Sequence, residues 1–138
     1  MSLVLDSSAT LAWIFGDETT LALERVFGEV AERGAVVPSL WRLEVANCLA
    51  IARRRGRIDE EFRRAALADL SLLDIVVDAH TDARAWVDTA ELAERFGLTL
   101  YDAAYIELAS RRALPIATLD AEMRAAGRAL GLRVLGVE

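Results

Sequence analysis

Five short, largely apolar segments recur along the chain: Leu3–Leu5, Ala35–Val37, Ile75–Val77, Pro115–Thr118 and Arg133–Leu135. Each is too short for a helix and lacks the polar alternation of a strand with one wet face. Helix-length stretches separate them. Strands that are apolar throughout and alternate with helices predict an α/β domain, a parallel sheet covered on both faces. The intervening helices are predicted over Ala9–Phe15, Glu18–Arg33, Leu40–Arg55, Asp59–Leu73, Asp82–Phe96, Thr99–Arg112 and Asp120–Leu130. Gly34 and Gly97 stand where helices should stop, and Asp59, Thr99 and Asp120 where helices should start. No linker, repeat or low-complexity segment interrupts the pattern, so residues 1–138 read as a single domain.

Composition removes several classes of function. With 54% hydrophobic and 28% charged residues the chain has material for a core and is not disordered. No apolar run approaches the roughly 18 residues of a membrane helix, and no membrane partner is expected. Asp6 interrupts the first apolar stretch, which argues against a signal peptide. The one cysteine, Cys48, fits a reducing cytoplasm, and among Val45, Ala46, Leu49 and Ile51 it reads as a buried, inert thiol. All 16 basic residues are arginine. Without lysine there is no P-loop and no Schiff-base chemistry. His80 is the only histidine and has no partners for a zinc site. No G-x-S-x-G elbow is present.

Carboxylate is what remains, 22 acids against 16 arginines for a net charge of −6. The balance is uneven. Residues 51–64 hold six arginines, Arg53, Arg54, Arg55, Arg57, Arg63 and Arg64, and three acids, a basic island on an acidic chain. One reading is a solvated helix end whose cations complement the helix dipole. The other is a phosphate-binding patch built around Arg53, Arg54, Arg55 and Arg57.

Four acids stand out. Asp6 follows the first predicted strand and Asp120 closely follows the fourth, and ligands of open parallel sheets gather at such carboxyl ends. Both also suit helix N-caps, and Thr99-Leu-Tyr-Asp102 resembles a capping box. Glu44 is different, because its neighbours at helical spacing are Leu40, Trp41, Cys48 and Ile51. Asp102 likewise shares a face with Tyr105, Ile106 and Ala109. Burying an ionised carboxylate costs several kcal/mol unless it is paired or bound to metal. Acids gathered together call for a hard divalent cation, Mg²⁺ or Mn²⁺. Such an ion can orient a water and neutralise charge on a phosphodiester. An acidic metal pocket beside an arginine patch points to a metal-dependent nuclease.

The same four acids carry a resemblance. Asp6 in Leu-Val-Leu-Asp-Ser-Ser, Glu44 in Leu-Glu-Val-Ala-Asn-Cys-Leu, Asp102 in Tyr-Asp-Ala-Ala-Tyr and Asp120 in Ala-Thr-Leu-Asp resemble, in order, the acidic motifs of PIN-domain ribonucleases. The spacing and size are most similar to the VapC-like toxins of toxin–antitoxin pairs. The resemblance implies a three-layer α/β/α sandwich with a short, mainly parallel sheet. It also implies Mg²⁺- or Mn²⁺-dependent endonucleolytic cleavage of RNA, a homodimer, and a cognate antitoxin as protein partner. Asp6, Glu44, Asp102 and Asp120 carry over as the catalytic, metal-binding acids, with Thr118 and Asn47 as supports of the pocket. Asp17, Glu18, Asp74, Asp78 and Glu107 match no motif and read as caps and surface charge.

Two other acidic Mg²⁺ folds fit poorly. A phospho-accepting receiver domain needs a lysine, and a haloacid-dehalogenase-type phosphatase needs a second Asp where Ser8 stands. A non-catalytic PIN-like RNA-binding or scaffold domain remains the alternative.

Overall fold

The computed structural model describes residues 2–137. Its strands are β1 (Val4–Leu5), β2 (Ala35–Val37), β3 (Ile75–Val77), β4 (Ile116–Ala117) and β5 (Val134–Leu135). They form one parallel sheet in the order β3-β2-β1-β4-β5, with Val4 in register with both Val36 and Ile116. The helices are α1 (Ser7–Ile14), α2 (Leu21–Arg33), α3 (Trp41–Arg54), α4 (Glu60–Ser71), α5 (Thr81–Arg84), α6 (Ala90–Phe96), α7 (Leu100–Arg112) and α8 (Ala121–Ala129). Steps from β1 to β2 to β3 run one way along the sheet, and steps from β3 to β4 to β5 run the other. With right-handed crossovers, α1–α4 and α5–α8 therefore cover opposite faces, giving three layers. The apolar segments pack as expected in the centre, where β1, β2 and β4 are wholly buried. At one edge β3 is only half covered, with Val76 at 42% exposure. No helix among the described residues is long and apolar enough to cross a membrane.

Local chemistry moved several boundaries. The second helix starts at Leu21 rather than Glu18, because the Thr20 hydroxyl caps the Leu23 amide while Gly16–Glu18 coils into a separate 3₁₀ turn. No side chain caps α3. The Ser39 hydroxyl donates to Asp82 instead, and the Ser39 amide to Thr81. The single helix expected over Asp82–Phe96 is interrupted by a π turn, Ala85–Thr89, between α5 and α6. Its extra residue rephases the helix, burying Thr89 and turning Trp86 and Val87 to solvent. Gly34 is required where it stands: its φ is +74°, and a Cβ there would lie 2.5 Å from the Asp74 carbonyl oxygen.

Two of the acids read as caps and surface charge are neither. Asp78 and Glu107 are buried, 5% and 4% exposed, and both bind Arg111. Arg111 makes a bidentate contact with Asp78 at 3.2 and 2.6 Å and another with Glu107 at 2.8 and 3.1 Å. The guanidinium holds the Asp78 carboxyl below the usual carboxylate range against the opposing effect of burial. Cys48 is half-buried rather than buried, and burial with the Glu44 charge pushes its thiol up.

Candidate active site at the carboxyl edge of the sheet

In the observed strand order, β1 and β4 are neighbours whose onward connections diverge. That is a topological switch point, where open parallel sheets leave a crevice beyond the strand ends. Asp6 follows β1 there, and Thr118 and Asp120 follow β4. Asp6 is 3% exposed and caps α1 by accepting the Ala9 amide at 2.9 Å. Its carboxylate also accepts from Ser8 at 2.8 and 2.9 Å, and from Thr118 at 2.6 Å. Every one of these donors is neutral. Burial therefore dominates and pushes the Asp6 carboxyl up to about 6, with the charge of Asp102 adding to the effect.

Asp102 arrives from the first turn of α7, where the Thr99 hydroxyl caps its amide at 3.1 Å. Its carboxyl is raised by burial and by the charges of Asp120 and Glu122. Glu122 is a fifth nearby acid, one that no sequence pattern singled out. Asp120 caps α8 through the Met123 amide at 2.9 Å, and its own amide donates to Thr118 at 3.1 Å. The dull expectation for Asp6, Asp102 and Asp120 was helix capping. Asp6 and Asp120 do cap, yet each is also linked by charge to Asp102.

Glu44 is delivered from α3. Its Oε1 accepts the Tyr105 hydroxyl at 2.5 Å. Burial and the Asp102 charge raise its carboxyl. The four sequence-predicted acids are thus linked by mutual repulsion: Asp6 with Asp102, Glu44 with Asp102, and Asp102 with Asp120. Thr118 bridges two of them, its hydroxyl donating to Asp6 and accepting the Asp120 amide. Asn47 lies on the exposed side of α3, and its side chain makes no hydrogen bond among the described residues.

Sequence reasoning missed two supports. Arg124 is buried and donates to the carbonyls of Thr118 and Leu135 at 2.7 and 2.9 Å, pinning the end of β4 to β5. Tyr105 joins α7 to Glu44. Neither shows a signature at short sequence range.

Much of the arginine island is engaged internally. Arg53, Arg63 and Arg64 converge on Glu60, at 2.7, 2.5 and 3.2 Å, and hold its carboxyl down to about 2. Arg57 pairs with Glu18 at 2.8 Å and lies 4.0 Å over the Phe15 ring. Arg54 and Arg55 are exposed and make no ion pair among the described residues.

The donor chemistry suits a hard divalent ion: oxygen ligands, with Asp6, Glu44 and Asp102 raised by burial and by neighbouring acids, and no ion pair to a cation of the chain among the described residues. The set is open. Among the described residues no three of His, Cys, Asp or Glu close into a ready-made metal cage.

The profile of the PIN domain matches residues 3–129. Ribonuclease VapC3 of Pyrobaculum aerophilum is 32% identical over 123 residues, covering 89% of this chain and 92% of that protein. The crystal structure of PAE2754 from Pyrobaculum aerophilum superposes at a TM-score of 0.67 and 23% identity, over 97% of this chain and 83% of that one. VapC20 of Mycobacterium tuberculosis, described as a sarcin-ricin loop cleaving toxin, superposes at 0.59 and 18% identity, over 91% and 95% of the two chains. A toxin–antitoxin complex from Klebsiella pneumoniae gives 0.56 at 16% identity, over 86% and 87%. The superpositions speak for the fold; the profile and the VapC3 relationship span nearly the whole sequence, and on them the chain belongs to the PIN-domain family.

Proposed function

We propose that this protein is an endoribonuclease dependent on Mg²⁺ or Mn²⁺, the toxin of a toxin–antitoxin pair, acting in the cytoplasm as a single domain over residues 1–138. The observation that carries the reading is a sealed carboxylate, Asp6, whose donors are all neutral and on which the charge of another acid, Asp102, acts. Such an arrangement is costly by itself and becomes favourable when a cation arrives. Asp6, Glu44, Asp102 and Asp120 would hold the metal. When bound, a divalent ion supplies a water of lowered pKa and neutralises charge on the phosphodiester.

The rest is done by the chain. Ser8 and Thr118 fix the Asp6 carboxylate, and the Thr99 cap sets Asp102 at the start of α7. Within the arginine island, Arg54 and Arg55 make no ion pair among the described residues and would attract the RNA backbone, a contribution to affinity without base selection. The VapC3 relationship and the toxin–antitoxin neighbour support a cognate antitoxin as partner. A homodimer is the assembly we expect.

The test is cleavage of RNA by the purified protein in EDTA, with Mg²⁺ or Mn²⁺ then restored. Cleavage that appears only with the metal supports the reading. Cleavage that persists in EDTA overturns metal dependence. RNA binding without cleavage under any metal returns the protein to a non-catalytic role.

A further inference from the structure

Helix α7 is buried without a break from Ala103 to Ala109, and Tyr105 within it is 1% exposed. A phenol hydroxyl sealed that deeply must find a partner. Its partner lies 61 residues away in sequence, on a helix of the opposite layer: the hydroxyl donates to Glu44 Oε1 at 2.5 Å. Ser7, from the turn that also carries Asp6, lies beside both Glu44 and Tyr105 and acts on each against the effect of burial.

Glu44 needs such an anchor. A glutamate has three side-chain torsions and loses rotamer entropy when held. Burial and the Asp102 charge both favour its swinging out to water. Tyr105 opposes that swing by engaging one carboxylate oxygen, so the group is fixed yet keeps ligating capacity. Tyr105 also stands three residues after Asp102 on one helix, which makes the two side chains neighbours on a common face. The helix therefore sets the distance between Asp102 and the hydroxyl that holds Glu44.

Building on the ribonuclease reading, we propose that Tyr105 is a positioning residue: its hydroxyl holds Glu44 at a set place relative to Asp102, and so tightens divalent-cation binding by acids from two different layers. Partners of this kind around metal sites typically contribute 10–100-fold in affinity.

Tyr105→Phe removes one oxygen and keeps the ring. Calorimetric titration with Mn²⁺ should show a Kd weakened about 10-fold. RNA cleavage at limiting Mn²⁺ should lose kcat with KM for RNA unchanged, and raised Mn²⁺ should restore it. In a Glu44→Gln background, Tyr105→Phe should add no further loss of Mn²⁺ affinity, since the two act as one unit. A lowered Tm with unchanged Mn²⁺ affinity, or additive losses in the double variant, overturns the proposal. A second measurement needs no tyrosine variant at position 105. The chain has two tyrosines, so ¹³Cζ-tyrosine labelling with Tyr101→Phe leaves the single signal of Tyr105. That signal should shift on adding Mg²⁺ and stay still in Glu44→Gln; no shift in the Glu44 protein overturns the proposal. If the unaltered protein neither binds Mn²⁺ nor cleaves RNA, the ribonuclease reading itself has failed and this inference falls with it.

Discussion

Asp6 and Asp78 each follow a strand of the same sheet, hydrogen-bond through their amides to a neighbouring strand, and are nearly sealed from water, at 3% and 5% exposure. Their carboxyls are nonetheless driven in opposite directions. Asp78 faces the Arg111 guanidinium, which also holds Glu107, and is lowered. Asp6 faces hydroxyls, an amide and the charge of Asp102, and burial raises it to about 6. Burial is common to both and so cannot explain the difference. The counter-ion does: Asp78 and Glu107 share the Arg111 guanidinium, while among the described residues no cation pairs with Asp6. The first group is a brace, and the second is uncompensated.

Removing the internal cation should give the largest effect. Arg111→Met leaves Asp78 and Glu107 buried and uncompensated, and is expected to lower stability by about 3–5 kcal/mol. Urea unfolding measures this; a loss under ~1 kcal/mol would mean that the brace is solvated and the contrast false. At the other region, Asp6→Asn or Asp102→Asn should reduce RNA cleavage by more than the ~100-fold that outer partners of a metal site can cost. Circular dichroism should show the fold retained, and near-normal cleavage by either variant would end the assignment.

Acidity should separate the regions next. Asp6 has a folded pKa of about 6 against an ordinary 3.8, so its contribution to stability is complete below the lower value and is lost as pH rises to the upper. The loss is roughly 3 kcal/mol at 1.36 kcal/mol per unit. Asp78, lowered, behaves oppositely: its contribution is present above 3.8 and disappears as pH falls further. Urea melts in EDTA from pH 3 to 8 should show stability falling between about pH 4 and 6, and Asp6→Asn should flatten that fall. A flat wild-type curve over this range would contradict it.

A smaller effect is expected from easing repulsion. In EDTA, Asp102→Asn should raise stability by about 1 kcal/mol, a few degrees in Tm for a chain of this size. Millimolar Mg²⁺ should stabilise the native protein and leave the variant unmoved, because only a folded state that binds the ion gains from it. A destabilised variant, with both proteins blind to Mg²⁺, would make Asp102 a structural cap. Smallest is the surface. Replacing Arg54 and Arg55 by Gln should flatten the salt dependence of RNA binding by about 0.7 per phosphate contact on single-stranded RNA. An unchanged slope would confine those arginines to the helix end.

The contrast between the brace and the uncompensated acids was half legible in the sequence. Asp6 and Asp120 could be placed because a strand end followed by a helix start is a local pattern, and Glu44 because an acid on an apolar helix face is conspicuous. The brace was not. Glu107 and Arg111 have helical i,i+4 spacing, a signal that was present, but Asp78 lies 33 residues before its guanidinium and reads as a cap until the fold closes. Arg124 was hidden for a similar reason, since both its acceptors are backbone carbonyls, and every residue has one. The π turn escaped because an inserted residue changes the phase of a helix without changing its composition.

Thr118 reaches Asp6 across 112 positions, and β5 anchors the end of β4 through the Leu135 carbonyl. The site is therefore assembled only when segments more than a hundred residues apart have come together. Closing so long a loop costs chain entropy before the contact repays it. Without β4 docked beside β1 nothing holds Asp6 and Asp120 together, so the acidic site belongs to the closed fold and to no local segment of it.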